Sequence, residues 1–371
     1  MSDTFPAAPD RYNRQTLFSG IGPEGQQRIC AATAVVAGCG ALGSVIANAL
    51  ARAGVGRLRI IDRDFVEESN LHRQALFDEQ DCREHMPKAA AAERRLKLIN
   101  STIAITGLVT DINPANAEDL LQGADVVVDG TDNFETRFVL NDACVKHGTP
   151  WVYGGAVGSS GMLMTIIPGQ TPCLRCVFEV PPPHGAAPTC DTVGVLGALP
   201  GVIGSWEASE ALKICAGRRE AVETRLLSLD LWSGEVQRLK ISAARQRGSC
   251  PCCQQRRFEF LEGQRASSSV TLCGRNAVQI NPRQAGIVDL PQLAARLQGG
   301  AGVSHVLTNK FLVRFRLAAG DTIPISQQPE IGPCPRGAAL ELTVFADGRA
   351  IIKGTGDVAK ARSAYAKYVG L

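Results

Sequence analysis

Four sets of residues in this chain have the types and spacing to do chemistry. The first is a glycine-rich turn, Gly38-Cys39-Gly40-Ala41-Leu42-Gly43, which follows the apolar run at 34–37 and leads into a helical pattern at 44–50. Such a turn aims free backbone N–H groups and the positive end of a helix dipole at one point, where a phosphate belongs. The second set begins with Asp62, which closes the apolar run at 58–61 about 20 residues past the turn, the place where a nucleotide-binding fold puts the carboxylate that takes a ribose hydroxyl. It continues with Asn70-Leu71-His72-Arg73-Gln74 and Lys88. Two cations and two amides after the ribose acid can neutralise a triphosphate and hold a pyrophosphate leaving group.

The third set is Thr131-Asp132-Asn133, where Asp132 can hold magnesium between phosphates, cap the helix expected at 134–146, or do both. The fourth is a pair of Cys-x-x-Cys knuckles, Cys173/Cys176 and Cys250/Cys253. Each two-residue spacer lets both sulfurs face one ion, so four thiolates suit tetrahedral Zn²⁺ in a structural role with no open coordination position, and Cys252 is left over. Cys190 stands apart, in the proline-rich, aperiodic segment 181–191, which reads as a mobile lid or crossover loop. A thiol there is either a reactive nucleophile or a passive loop residue.

The elements that must position these groups alternate. Strands are expected at 58–62, 103–109 and 124–129, with a helix opened by Lys88 after Pro87, the pattern of a parallel sheet covered on both faces. Further strands are expected at 151–156 and 161–167, and a helix over 202–216. The fold class is therefore α/β, a Rossmann-like, mostly parallel sheet with a zinc site. Residues 1–260 form this nucleotide-binding domain and 261–269 a Gln/Arg/Ser-rich linker. Residues 270–371 form a small α+β domain containing an Asp347-Gly348 hairpin signal.

The whole chain sets bounds. Its 371 residues exceed what one ordinary domain needs, and a net charge of +3 without a long Lys/Arg run implies neither a nucleic-acid nor a membrane partner. There is no signal-peptide pattern and no apolar run of membrane-spanning length, and 13 cysteines, an odd number, suit a reducing cytoplasm better than a disulfide framework.

Taken together, Arg-Tyr-x-Arg-Gln at 11–15, the glycine turn, Asp62, Ser-Asn-x-x-Arg-Gln at 69–74, Pro-Lys at 87–88 and Thr-Asp-Asn at 131–133 resemble the ThiF/MoeB/HesA family of adenylyltransferases, from Arg11 to about Cys253. The resemblance implies that ATP·Mg²⁺ activates the C-terminal Gly-Gly carboxylate of a ubiquitin-like sulfur carrier protein. It places Gly38, Gly40, Ala41 and Gly43 on the phosphates, Asp62 on the ribose, and Asn70 and Arg73 of the 70–74 stretch, with Lys88, on the triphosphate. Asp132 and Asn133 fall on the magnesium and adenylate side. Arg14 resembles the family's arginine that reaches the nucleotide of the other subunit, which implies a homodimer. Cys190 matches a thiol able to attack the acyl-adenylate or relay a persulfide from a sulfur donor. Ala41 departs from the fourth glycine of many relatives, at a position where only the backbone N–H is needed.

A nicotinamide oxidoreductase would share the glycine fingerprint but would not need Arg73, Lys88 and Asp132 on its phosphates. A non-catalytic nucleotide-binding scaffold would not need every ATP-contacting motif intact. Some relatives end in a rhodanese domain; its cysteine-centred loop is absent here, so the C-terminal piece is expected to dock a carrier or partner or to add stability, with Cys273 a second candidate relay thiol.

Overall fold

The computed structural model describes residues 11–182, 190–246, 248–263, 269–272, 277–280, 288–300, 302–317 and 339–370. The chain divides into two compact units, Met1–Ala266 and Ser267–Leu371.

In the first unit the apolar β-branched runs become strands. β1 (Thr33–Ala37) and β4 (Val126–Asp129) are buried at every residue, as strands covered on both faces must be. Together with β2 (Arg57–Ile61), β3 (Ala104–Leu108) and β5 (Trp151–Val157) they form a parallel run. β6 (Ser160–Ile166), β7 (Leu226–Asp230) and β8 (Glu235–Leu239) extend it antiparallel. The order is β3-β2-β1-β4-β5-β6-β7-β8, so the direction of winding reverses between β1 and β4. The crevice outside the carboxyl ends of those two strands is where such sheets bind ligands.

The helices of this unit, in chain order, are α1 (Asn13–Thr16), α2 (Gly22–Ala31), α3 (Ala41–Ala53), α4 (Glu79–Arg83), α5 (Lys88–Ile99), α6 (Ala117–Leu121), α7 (Phe134–His147), α8 (Leu174–Val177), α9 (Cys190–Val193), α10 (Leu199–Cys215) and α11 (Ser242–Gln246). One core packs α3, α5 and α10 on Val36, Ile60 and Leu163; the other packs α7 on Val35, Val127 and Trp151. The two-residue period of a strand divides β1 between them, and each fully buried aliphatic side chain contributes roughly 2 kcal/mol.

Several expectations are corrected. The helix expected at 202 begins at Leu199, because Pro200 is tolerated in a first turn that needs no N–H from it. Asn133, not Asp132, caps α7: its side chain accepts from the Thr136 N–H at 2.8 Å. β7 and β8 were not expected; β8 is an edge strand exposed along its whole length and carries no burial pattern to read. Leu261, at the start of the expected linker, is buried beside Phe258 and Phe260, and the Phe260 N–H donates to Asp142 at 3.0 Å.

The second unit is a six-stranded antiparallel sheet in the order β11-β12-β13-β14-β10-β9. Its strands are β9 (Ser269–Leu272), β10 (Ala277–Ile280), β11 (Val303–Thr308), β12 (Leu312–Leu317), β13 (Glu341–Phe345) and β14 (Ala350–Lys353). Helices α12 (Leu290–Gln298) and α13 (Val358–Tyr368) lay Leu293, Leu297, Ala361 and Tyr365 on Val313, Phe315, Val344 and Ile352. The Asp347-Gly348 hairpin forms, with Gly348 at φ +82°. The sequence reading missed β10, four residues long with a polar Gln279, and β11, mostly exposed. Cys273 lies outside the described residues.

Candidate functional site

The glycine turn is built by close backbone contact. Gly38 has φ +85°, and a Cβ on Gly43 would stand 1.9 Å from the Gly38 carbonyl oxygen. Gly130, just past β4, is equally constrained, since a Cβ there would lie 2.4 Å from the same oxygen. The turn therefore rests directly on the end of β4, at the switch point, with Gly40 capping α3. Gly130 was missed, although a glycine directly after an apolar strand is a readable sign of close backbone approach.

Asp62 anchors the floor of the turn. Its two carboxylate oxygens accept from the Cys39 N–H at 2.6 Å and the Asp64 N–H at 2.7 Å. Burial raises its pKa and the nearby Lys88 ammonium opposes the rise. Lys88 is the first residue of α5; its backbone N–H donates to the Asp64 carbonyl at 2.9 Å and its Nζ lies 3.4 Å from Asp64 Oδ2, with the side chain 3% exposed. Arg63, which the sequence analysis did not single out, places Nη1 3.1 Å from Asp111 Oδ1 and Nε 3.9 Å from Asp64 Oδ1. Burial works against its charged form, and Asp111, Asp64, Asp132 and Asp62 outweigh it, so its pKa is raised.

The 69–74 stretch comes to the same place through a 3-10 turn, Glu68–Asn70. Asn70 and Gln74 are buried, and Gln74 Nε2 sits 3.9 Å from where a Cβ on Gly40 would be. Gln74 Oε1 has no hydrogen-bond partner among the described residues, although it is out of water. Arg73 donates from Nη1 to the Ser69 carbonyl at 2.9 Å. Leu71 is partly buried against the α3–α10 core, and His72 is exposed with Nδ1 3.1 Å from the Ser69 carbonyl oxygen. The chain returning from α9 passes here as well, because a Cβ on Gly197 would lie 3.2 Å from the His72 carbonyl oxygen. Cys190 is the first residue of α9, and its side chain is outside the described residues.

Past β4, Asp132 is exposed and Asn133 half-buried. Their turn is held from behind by Arg137, a buried cation that donates to Asp129 at 3.0 Å and to the Thr131 and Gly154 carbonyls at 2.8 Å each. Asp129 accepts in addition from the Thr131 N–H at 2.9 Å and hydroxyl at 2.7 Å. A charged residue inside a helix reads as surface in sequence, so Arg137 was missed too.

Arg14 is not brought to the site within one chain. The Gln15 amide donates to the Ala53 carbonyl at 2.9 Å and the Asn100 amide to the Tyr12 hydroxyl at 2.9 Å, which pins α1 to the C-terminal end of α3. That is a helix length, roughly 18 Å, from the glycine turn at the other end. Arg14 itself is exposed.

The four cysteines of the two knuckles do meet. Their sulfurs all lie within 4.8 Å of one another, with Cys173–Cys176 at 3.8 Å, Cys173–Cys250 at 3.6 Å and Cys176–Cys253 at 3.4 Å. A tetrahedron of sulfurs at ~2.3 Å from a central ion has edges of about 3.8 Å, so this cluster has the size of a metal site. Cys252 is not one of the four, and its sulfur accepts from the Asn141 amide at 3.3 Å. The cluster is braced by Asn141, which accepts from the Leu174 N–H at 2.8 Å, and by a buried Arg175–Glu259 pair at 3.2 Å.

Fold and site together define a doubly wound α/β protein with a glycine turn at its switch point and a four-cysteine cluster that could hold a metal ion. The chain belongs to the ThiF family, whose pattern matches residues 12–252. It is 42% identical to the sulfur carrier protein ThiS adenylyltransferase of Bacillus subtilis, over 97% of this chain and 99% of that protein. It is 40% identical to the sulfur carrier protein adenylyltransferase of Thermus thermophilus, over 66% of this chain and 90% of that one. The SAMP-activating enzyme E1 of Haloferax volcanii is 37% identical, over 68% and 92%. Among solved structures, E. coli MccB superposes with a TM-score of 0.58 at 22% identity, over 67% of this chain and 73% of that chain, a likeness of fold. Among the described residues no helix is long and apolar enough to cross a membrane.

Proposed function

We propose that this protein is an ATP-dependent adenylyltransferase that activates the C-terminal carboxylate of a ubiquitin-like sulfur carrier protein. One observation carries the reading: the glycine turn, Asp62, the 70–74 stretch, Lys88 and the Asp132 turn converge on the β1/β4 switch point, in a chain that matches a named sulfur carrier adenylyltransferase over nearly its whole length. In this reading the phosphates lie over Gly38, Gly40, Ala41 and Gly43, and Asp62 takes the ribose. Asn70, Arg73, Gln74 and Lys88 bind the polyphosphate, with Leu71 and His72 shaping that stretch. Asp132 and Asn133 are the residues to hold Mg²⁺, which screens the charge between phosphates.

The chain then works by positioning and electrostatics. The carrier's terminal carboxylate attacks the α-phosphorus in line, the cations hold the departing pyrophosphate, and a carrier acyl-adenylate remains. The terminal sulfur of a persulfide donor displaces AMP to give an acyl disulfide. The Cys190 thiol then attacks the donor's inner sulfur, the S–S bond breaks, the thiocarboxylate leaves, and a disulfide between Cys190 and the donor remains for a thiol reductant to clear. The four cysteines Cys173, Cys176, Cys250 and Cys253 fit Zn²⁺, which would cross-link the α8 segment to the chain's exit from the sheet. Arg14 acts from a second copy in a homodimer, residues 270–371 dock a carrier or partner, and the thiol-rich chain works in a reducing cytoplasm.

The test is to incubate the protein with Mg·ATP and carriers ending in Gly-Gly and to weigh the carriers intact. The expected product has gained one adenylyl group, and adding a persulfide donor converts it to the thiocarboxylate. Cys190→Ala is expected to keep the first product and lose the second. No adduct on any such carrier contradicts the assignment.

A further inference from the structure

Asp64 stands between two cations at the floor of the nucleotide site. One carboxylate oxygen lies 3.4 Å from Lys88 Nζ, the other 3.9 Å from Arg63 Nε. Arg63 meanwhile holds Asp111 at 3.1 Å through Nη1. The Arg63, Asp64 and Asp111 side chains are 14%, 15% and 13% exposed, so none of the three charges is left to bulk water. Lys88, proposed above to bind the polyphosphate, is thus turned toward a carboxylate.

Phosphate can draw Lys88 away only if Asp64 keeps a counter-ion, because a half-buried carboxylate stripped of its cation is strongly disfavoured. The guanidinium supplies one. Its planar fork of donors holds two carboxylates at once, and at 3.9 Å its Nε is in ion-pair range of Asp64 but short of a hydrogen bond. A small closure of that gap converts attraction into a charge-assisted hydrogen bond.

We propose that Arg63 is a positioning residue for nucleotide binding: it takes over Asp64 from Lys88 when ATP arrives, so that Lys88 is released to the phosphates. Arg63 acts through Asp64 and Lys88. The groups facing it from the surrounding elements are Asp62 and Asp64 at the end of β2, Asp111 past β3, Asp132 past β4 and Lys88 at the start of α5. The inference rests on the ATP-binding reading given above.

The experiment measures binding of Mg²⁺ with a non-hydrolysable ATP analogue by calorimetry, on the full chain, with thermal melts to verify folding. Arg63→Gln is expected to weaken binding about tenfold, the loss of one charge-assisted contact, and Arg63→Lys to recover part of it. Asp64→Asn releases Lys88 without help, so adding Arg63→Gln to it is expected to change affinity by less than about twofold. Additive losses, or an Arg63→Gln protein that binds like the wild type, overturn the proposal. If Asp64→Asn fails to fold, Asp111→Asn supplies an independent test. Freed of Asp111, Arg63 holds Asp64 more fully and binding tightens about threefold; unchanged or weaker binding overturns the takeover. A wild-type protein that binds no nucleotide contradicts the functional reading itself, whereas nucleotide binding with additive variants contradicts this inference alone.

Discussion

Gly130 shows how far a single backbone position constrains the site. A methyl group there would sit 2.4 Å from the Gly38 carbonyl oxygen and 2.7 Å from the Gly43 Cα, with no side chain to yield. Gly130→Ala is expected to destabilise the fold by about 2 kcal/mol or more and to lower nucleotide affinity at least about tenfold, read by thermal melts and calorimetry. Gly201→Ala, in α10 with nothing within 4 Å, is the control and is expected to be neutral or slightly stabilising. Equal effects of the two changes would show that the turn tolerates a Cβ. At this scale the sequence was readable where a residue type has few uses. Gly38, Gly43, Asp62 and the knuckle cysteines were found because turn geometry and thiol spacing leave little else for them to do. Arg63 and Arg137 were not, because only tertiary packing separates a buried arginine holding carboxylates from an arginine on the surface.

Elements were legible in proportion to their burial. β1 and β4 announce themselves through apolar runs and α7 through the polar Thr131-Asp132-Asn133 before it, whereas β8 and β11 are exposed edge strands formed because a neighbouring strand offers its backbone. The start of α10 was placed at 202, after Leu199-Pro200-Gly201, whereas Pro200 sits in the helix's first turn. The cysteine cluster shows the opposite case, in which a short spacing repeated far along the chain foretold a meeting that no local pattern requires. Its mechanical role follows from where the knuckles lie: α8 after β6, and the 250–253 segment after α11. Cys250→Ser is expected to abolish a stoichiometric zinc and to lower the melting temperature on the order of 10 °C, measured by metal analysis and calorimetry. Exchange activity below the melt should persist, since the cluster is not among the groups at the switch point. A protein that melts at the wild-type temperature without zinc would remove the structural role.

For the whole molecule the informative fact is the position of Arg14, a helix length from the glycine turn in its own chain. If a second copy brings Arg14 to the site, an Arg14→Ala chain and an Asp132→Ala chain are each inactive alone. Co-expressed with different tags and purified as the mixed dimer, they should recover up to about half the wild-type activity, because one of the two sites is then intact. A mixed dimer as inactive as its parents would contradict the shared site. The central claim, adenylation of a carrier carboxylate at the β1/β4 switch point, is tested most directly by carrier-dependent exchange of pyrophosphate into ATP. The wild type is expected to exchange only when the carrier retains its terminal Gly-Gly, and Asp132→Ala to lower the rate by about a hundredfold or more. Exchange that is indifferent to the carrier's last two residues, or that survives Asp132→Ala at the wild-type rate, would contradict it.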